Sequence, residues 1–243
     1  MNKLLITKTT SLEEIRQNIA KLREQKGKET ETLKLINESK SLGHDFVANL
    51  FFEEALTYQH IYMNDSSNKE AMLNMEKSIL EASIYINKYK INKLSSRLFR
   101  FMGRVSDYKG QYKKAIGYYK KAIKFVELDP EPFRILELEA FLSYSMIMSG
   151  DYTKGVKYAK KIYSKFINSS EGIKLMKKDY NTWAIWMSGV TYRTVIALID
   201  RKIHFDRNEI ENWIRDTNKY LKGKDNFSYR RSEIESLWTK IKN

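Results

Sequence analysis

The chain contains no cysteine. That excludes disulfides, thiolate zinc sites, iron–sulfur ligation and cysteine nucleophiles together. It says little about compartment, because a chain without thiols is stable in reducing and oxidising surroundings alike. Proline occurs twice and glycine ten times in 243 residues. All-β folds and loop-rich enzymes need more turn chemistry than that, so helices with short connections are expected. The three histidines, His44, His60 and His204, show no ligand-pair spacing, so neither a metal site nor a cofactor is expected. The N-terminal apolar run Leu4–Ile6 is too short for a signal-peptide core, and no stretch approaches a membrane span. The expected location is therefore the cytoplasm. P-loop, GxSxG, GxGxxG and calcium-loop patterns are missing as well. No catalytic residue is assigned, and enzyme activity is not expected.

What the chain does have is a globular balance of 42% hydrophobic and 30% charged residues, enough to bury a substantial core. Its formal net charge is +14. A basic balance invites nucleic acid, an anionic membrane or an acidic protein as partner. The excess is mostly lysine, in a chain also rich in isoleucine and asparagine, which is what AT-rich coding produces whatever the function. Carboxylate pairs such as Glu13-Glu14 and Glu53-Glu54 read as solvated helix surface.

Apolar spacing predicts helices throughout. Ser11-Leu-Glu-Glu14 reads as a capping box ahead of Leu12, Ile15, Ile19 and Leu22, with Gly27 as the stop. Leu33, Ile36 and Leu42 mark a weaker helix before Gly43. Further helices are expected over about 44–63 and 69–90, the latter with Met72, Met75, Ile79, Ala82 and Ile86 on one stripe. Asn92 opens a helix to Gly110. Residues 111–128 are helical until Asp129-Pro-Glu-Pro132, and 133–148 until Gly150. Asp151 caps a helix to Phe166, 168–172 is a loop, and a long helix covers 174–201. Asp206 and Ser228 cap the last two. That makes eleven helices, no strand and no long linker.

Two segments repeat: Gly110-Gln-Tyr-Lys-Lys-Ala-Ile-Gly-Tyr-Tyr and Gly150-Asp-Tyr-Thr-Lys-Gly-Val-Lys-Tyr-Ala, 40 residues apart. Gly27 lies about two such periods earlier. Each glycine suits a left-handed turn between helices. Small residues at Ala20, Gly103, Ser143, Ala115 and Gly155 would let helices approach, with Tyr112 and Tyr152 packed over the crossing. Self-similarity at this period indicates helical hairpins that must stack to bury their faces.

On Phe99, Met102-Gly103, Ala115, Tyr119, Ala122 and Pro130 the chain resembles the tetratricopeptide repeat family. Ser106 stands where that family usually has Tyr, and Pro130 comes a few residues late. The next repeat keeps Leu142, Ser143, Gly150 and Tyr152, and Gly189 and Tyr192 echo the motif. The resemblance implies an all-α, right-handed α-solenoid of about five antiparallel helix pairs plus a C-terminal capping helix. It would form one domain over 1–243, with hairpins at about 11–43, 44–90, 92–128, 132–167 and 174–222 and the cap at 228–242. It also implies a protein-interaction scaffold or adaptor whose first helices line a concave groove for a peptide or protein segment.

Arg97, Arg100 and Arg104 recur at i, i+3 and i+7, so they share one helix face, opposite Leu98, Phe99 and Met102. Arginine forks suit carboxylates and phosphates, so an acidic peptide or a C-terminal carboxylate is the expected occupant. The resemblance places Tyr144 and Arg193 on neighbouring first helices as further groove contacts; Ile147 and Tyr192 read as core packing instead. Trp183 and Trp186 share a face at i, i+3 and read as core. The alternatives are nucleic-acid binding through a basic surface, led by phosphates because no recognition motif is present, and a peptide-responsive regulatory repeat protein.

Overall fold

The computed structural model describes residues 12–23, 25, 27–131, 133–222 and 227–242. Every regular element among them is helical. The α-helices are α1 Leu12–Arg23, α2 Glu29–Ser39, α3 His44–Asn64, α4 Lys69–Tyr89, α5 Ser95–Tyr108, α6 Tyr112–Lys124, α7 Arg134–Met148, α8 Tyr152–Asn168, α9 Ser170–Lys178, α10 Tyr180–Asp200, α11 Arg207–Leu221 and α12 Ser228–Lys242. Three short 3-10 segments extend the ends of α2 and α6 and lead into α5. Ser11 of the expected capping box and the turn at 223–226 lie outside the described residues. The chain divides into two compact units, Met1–Val105 and Ser106–Asn243, with the division inside α5.

Periodicity places most of these helices within a few residues. Gly27, Gly110 and Gly150 take the expected left-handed backbone, at φ of 84°, 69° and 102°. Two local expectations fail. The region read as a loop at 168–172 followed by one helix from Lys174 is instead two helices, so the described residues hold twelve rather than eleven. Ser169 caps α9 by accepting from the Gly172 N–H. Asp179 then leaves the helical region and caps α10, accepting from the backbone N–H of Thr182 at 3.0 Å and its hydroxyl at 2.6 Å. A capping aspartate inside an apolar-periodic run ends one helix and starts the next. Asp151 makes no capping hydrogen bond; its carboxylate lies 3.7 Å from the Lys154 ammonium instead. Asp206 does cap α11, accepting from the Asn208 and Glu209 N–H groups.

In the first unit α1 packs on α2 and α3, α2 on α3, and α3 on α4. Ile15, Ile19, Leu35, Ile36, Phe46 and Leu50 form one apolar cluster. Met75, Ile79, Ala82 and Ile86 give α4 its buried stripe, with Met72 half-buried beside it. Phe52 of α3 stacks on Phe101 of α5, ring centres 5.2 Å apart.

In the second unit α7 packs against α6 and α8, and α10 against α7, α8, α9, α11 and α12. α10 is apolar nearly all round, so it is the buried centre of this unit. Trp183 anchors it, with its indole N–H donating to the Phe166 carbonyl at 2.8 Å. The last turn of α5 joins this unit through Asp107, a buried carboxylate that accepts from the Tyr119 and Ser145 hydroxyls, each at 2.6 Å. Tyr152, expected over a helix crossing, is exposed; Tyr112 does pack, edge-on to Tyr144.

The repeat contains two helix-interior glycines in different surroundings. A Cβ at Gly155 would stand 2.6 Å from Ile147 Cγ1 and 2.8 Å from its backbone nitrogen, whereas one at Gly117 would meet nothing within 4 Å. Gly155→Ala should therefore lower stability by about 1–3 kcal/mol through overpacking. Gly117→Ala should raise it by roughly 0.5–1 kcal/mol through backbone entropy. Denaturant unfolding of both variants checks the opposite signs.

Candidate functional site

The arginine stripe on α5 is not an open face. Arg97, Arg100 and Arg104 are exposed by only 7%, 8% and 7%, while Phe99 and Met102, expected to be the packing side, are half-buried. The expected orientation is thus corrected: α5 turns its charged face inward. The reason lies on α3. Arg97 donates through Nη2 to Glu53 Oε1 at 2.6 Å and through Nη1 to Asn49 Oδ1 at 2.9 Å. Arg23 of α1 donates to the other Glu53 oxygen at 2.5 Å. Arg16, two turns earlier on the same face of α1, reaches 4.0 Å from the same carboxylate. The guanidinium planes also cover rings, Arg97 over Phe52 at 5.0 Å and Arg100 over Phe101 at 4.8 Å.

Glu53 is the pivot of this arrangement, and it is no solvated surface residue. It is 4% exposed. Burial alone pushes its carboxyl up, because an ionised carboxylate is costly away from water. Arg97, Arg23 and Arg16 reverse that and hold it far below the ordinary carboxylate range. Its neighbour Glu54 is also engaged, accepting from Lys40 and from the Ser78 hydroxyl, each at 2.9 Å. α3 is packed by α1, α2 and α4, so a carboxylate in the middle of its apolar sequence has little solvent to turn to. That crowding is the one sequence signal that marks Glu53: it follows Leu50-Phe51-Phe52 directly.

In the second unit the residues expected to line a groove come together differently. Arg193 of α10 lays its guanidinium over the Phe141 ring of α7, 4.5 Å from the centroid. Gly189, one turn earlier, makes room: a Cβ there would meet the Arg193 guanidinium nitrogens at 2.9–3.0 Å. Phe141 stacks in turn on Tyr119, centres 5.6 Å apart and nearly parallel. The result is a Tyr119–Phe141–Arg193 column running from α6 across α7 to α10. Tyr144 is half-buried and packs edge-on to Tyr112 at 6.3 Å. Ile147 is fully buried and Tyr192 packs at the edge of the apolar core, both as expected. Trp183 is core, and Trp186 is half-buried under Arg134.

The remaining buried charges of this unit are paired within it. Arg134 bridges Asp129 at 3.3 Å and Glu137 at 3.0 Å. Glu139 accepts from Lys165 at 2.7 Å and from the Tyr158 hydroxyl at 2.9 Å. Burial and the Glu139 charge push the Tyr158 phenol well above its usual range, so it stays protonated as a donor. Among the described residues no group of three histidine, aspartate or glutamate side chains could hold a metal ion. Sequence reading missed Glu53, Asn49, Arg23 and Phe141, because each gains its role from a residue far away in the chain.

Removing one partner of a buried ion pair strands the other. Arg97→Ala should cost roughly 3 kcal/mol, the low end for such a change because Arg23 stays on Glu53. The depressed Glu53 carboxyl adds stability that is complete above its unfolded value of 4.5 and is lost as pH falls below it. Glu53→Gln should therefore flatten the acid limb of a stability–pH curve below that value. Urea unfolding between neutral and acid pH, on wild type and both variants, measures each effect.

No protein-family model matches the chain, and no curated protein is significantly similar to it.

Proposed function

We propose that this chain is a protein-interaction scaffold of the tetratricopeptide kind, holding a peptide or protein segment against its first helices. On this reading about five hairpins wind as a right-handed α-solenoid, with α12 as the cap. The observation that carries it is the packing of first helices on first helices. α1 packs on α3 and α7 on α10, and α3 is tied to α5 by the Arg97–Glu53 bridge. In a stack of antiparallel hairpins such contacts put the first helices of each unit side by side as a wall. In each unit that wall is rich in arginine and aromatic rings, the residue types that dominate binding energy in protein interfaces.

The roles of the five expected contact residues differ. Arg97 positions the wall, since its guanidinium is held by Glu53 and Asn49. Arg100 and Arg104 are buried with it and support the same face. Arg193 and Tyr144 are half-buried in the second unit and are the contact positions. An acidic segment suits Arg193, because the Phe141 ring fixes the plane of its guanidinium, a group whose fork geometry matches a carboxylate. Among the described residues no helix is long and apolar enough to cross a membrane, and a cytoplasmic setting is part of the proposal.

Panning a random peptide library on the immobilised full chain should enrich Asp- and Glu-containing peptides. Arg193→Ala with Tyr144→Ala should weaken the enriched peptides by tenfold or more, about the value of one charge-assisted hydrogen bond. Unchanged affinity in that folded double variant, or no enrichment at all, would overturn the reading.

A further inference from the structure

Charge is distributed very unevenly over the helices. α6 and α8 together carry ten lysines and no aspartate or glutamate. Nine of the ten are exposed: Lys113, Lys114, Lys120, Lys121 and Lys124 on α6, and Lys154, Lys157, Lys160 and Lys161 on α8. α9 adds exposed Lys174, Lys177 and Lys178 against a single glutamate, Glu171. The second unit has 27 lysines and arginines against 17 acidic residues, the first 17 against 13.

Composition alone does not produce this pattern. α11 belongs to the same unit and mixes signs in close pairs, Arg207 with Glu211 and Lys219 with Asp216. The repeat itself places the lysines. Aligning Gly110 with Gly150 puts Lys114 on Lys154, Lys120 on Lys160 and Lys121 on Lys161, so successive second helices present them at equivalent positions. Ala115, Tyr119 and Ala122 of α6 and Gly155, Ala159, Ile162 and Phe166 of α8 are buried, and both helices pack on α7. The lysines therefore stand on faces turned away from the core.

Folding gains nothing from this arrangement. Like charges one turn apart, such as Lys120 with Lys124 and Lys157 with Lys161, repel. Lys113 and Lys114 sit in the first turn of α6 with no acidic residue there, the end at which the helix dipole disfavours cations. Among the described residues Lys113, Lys120, Lys124, Lys157, Lys161 and Lys177 have no carboxylate within ion-pair distance, whereas Lys160 is paired with Glu209. A shallow depression where α8 meets α9 is lined by Lys161, Ser164, Lys165, Asn168 and Ser169. The Lys161 ammonium, with hydroxyl and amide groups around it, suits a phosphate oxygen, while Lys165 beside it is held by Glu139.

We propose that the outward face of α6, α8 and α9 binds the phosphate backbone of nucleic acid without reading its sequence. Lysines supply mobile point charges along each helix, Lys113 to Lys124 spanning about 16 Å of helix axis, which matches a line of phosphates rather than one carboxylate fork. Insertion into a lipid surface would need apolar side chains among the lysines. Here the apolar residues of both helices are buried or half-buried, apart from Tyr152. Base reading would need a recognition element in a groove, so the affinity is electrostatic and falls steeply with salt.

The test uses the full chain and fluorescence anisotropy with a short mixed-sequence duplex, at several salt concentrations. Five phosphate contacts predict a loss of several hundred-fold in affinity over a roughly fourfold rise in salt. The face variant K113Q/K120Q/K124Q/K157Q/K161Q should lose most of that slope and bind at least about 100-fold more weakly at low salt. A charge-matched control, K21Q/K34Q/K69Q/K77Q/K88Q in the first unit, should bind like wild type. Circular dichroism and thermal unfolding confirm that both variants are folded. The proposal is overturned if the duplex is not bound at low salt, or if the control loses as much as the face variant. It is also overturned if anionic vesicles bind as tightly as the duplex, or if polyglutamate does so on a chain carrying Arg193→Ala and Tyr144→Ala.

Discussion

A helix packed on several sides by other helices keeps almost no solvent face, so each polar side chain it carries must find its partner inside the protein. That constraint governs α3, α7 and α10, which are apolar nearly all round and touch most of their neighbours. On α3 it produces the Glu53 site, where one carboxylate is held by Arg23 and Arg97 with Arg16 close by. On α7 it produces Glu137 with Arg134 and Glu139 with Lys165 and Tyr158. On α10 it produces a hydroxyl contact, Thr191 to Thr217 of α11 at 2.8 Å, with the Thr217 hydroxyl donating to Tyr163 of α8 at 3.3 Å.

The same constraint sorts the charges. Carboxylates on the enclosed helices are matched by arginines and lysines, Glu53 and Glu139 by residues reaching in from neighbouring elements and Glu137 by Arg134 of its own helix. The outer helices face water, carry no such obligation, and in α6 and α8 hold lysine alone. Two kinds of charged group follow: arginine forks fixed in place by a buried carboxylate, as Arg23 and Arg97 are by Glu53, and exposed lysines on α6 and α8. A fixed fork matches a planar carboxylate, while scattered point charges match an extended line of anionic groups.

Helix positions were legible because they depend on neighbours a few residues away. Apolar spacing located α3, α4, α6, α7 and α8, and a positive-φ glycine marked each of three turns. The break at Asp179 was also local, a capping aspartate with Thr182 three residues on, but it sat inside a run whose periodicity continued across it. The arginine stripe shows the limit. Its spacing correctly put Arg97, Arg100 and Arg104 on one face, yet spacing says nothing about what that face meets.

The sequence by itself determined that the chain is helical and where most helices begin and end, since backbone propensity, capping and periodicity act over a single turn or two. Only the tertiary structure decided which side of α5 is buried, that Glu53 is enclosed, and that Arg193 lies on Phe141. Those outcomes turn on contacts such as Arg97 to Glu53, 44 residues apart, and Arg23 to Glu53, 30 residues apart. Charge and desolvation at such contacts are set by what the fold brings alongside, and no local pattern carries that information.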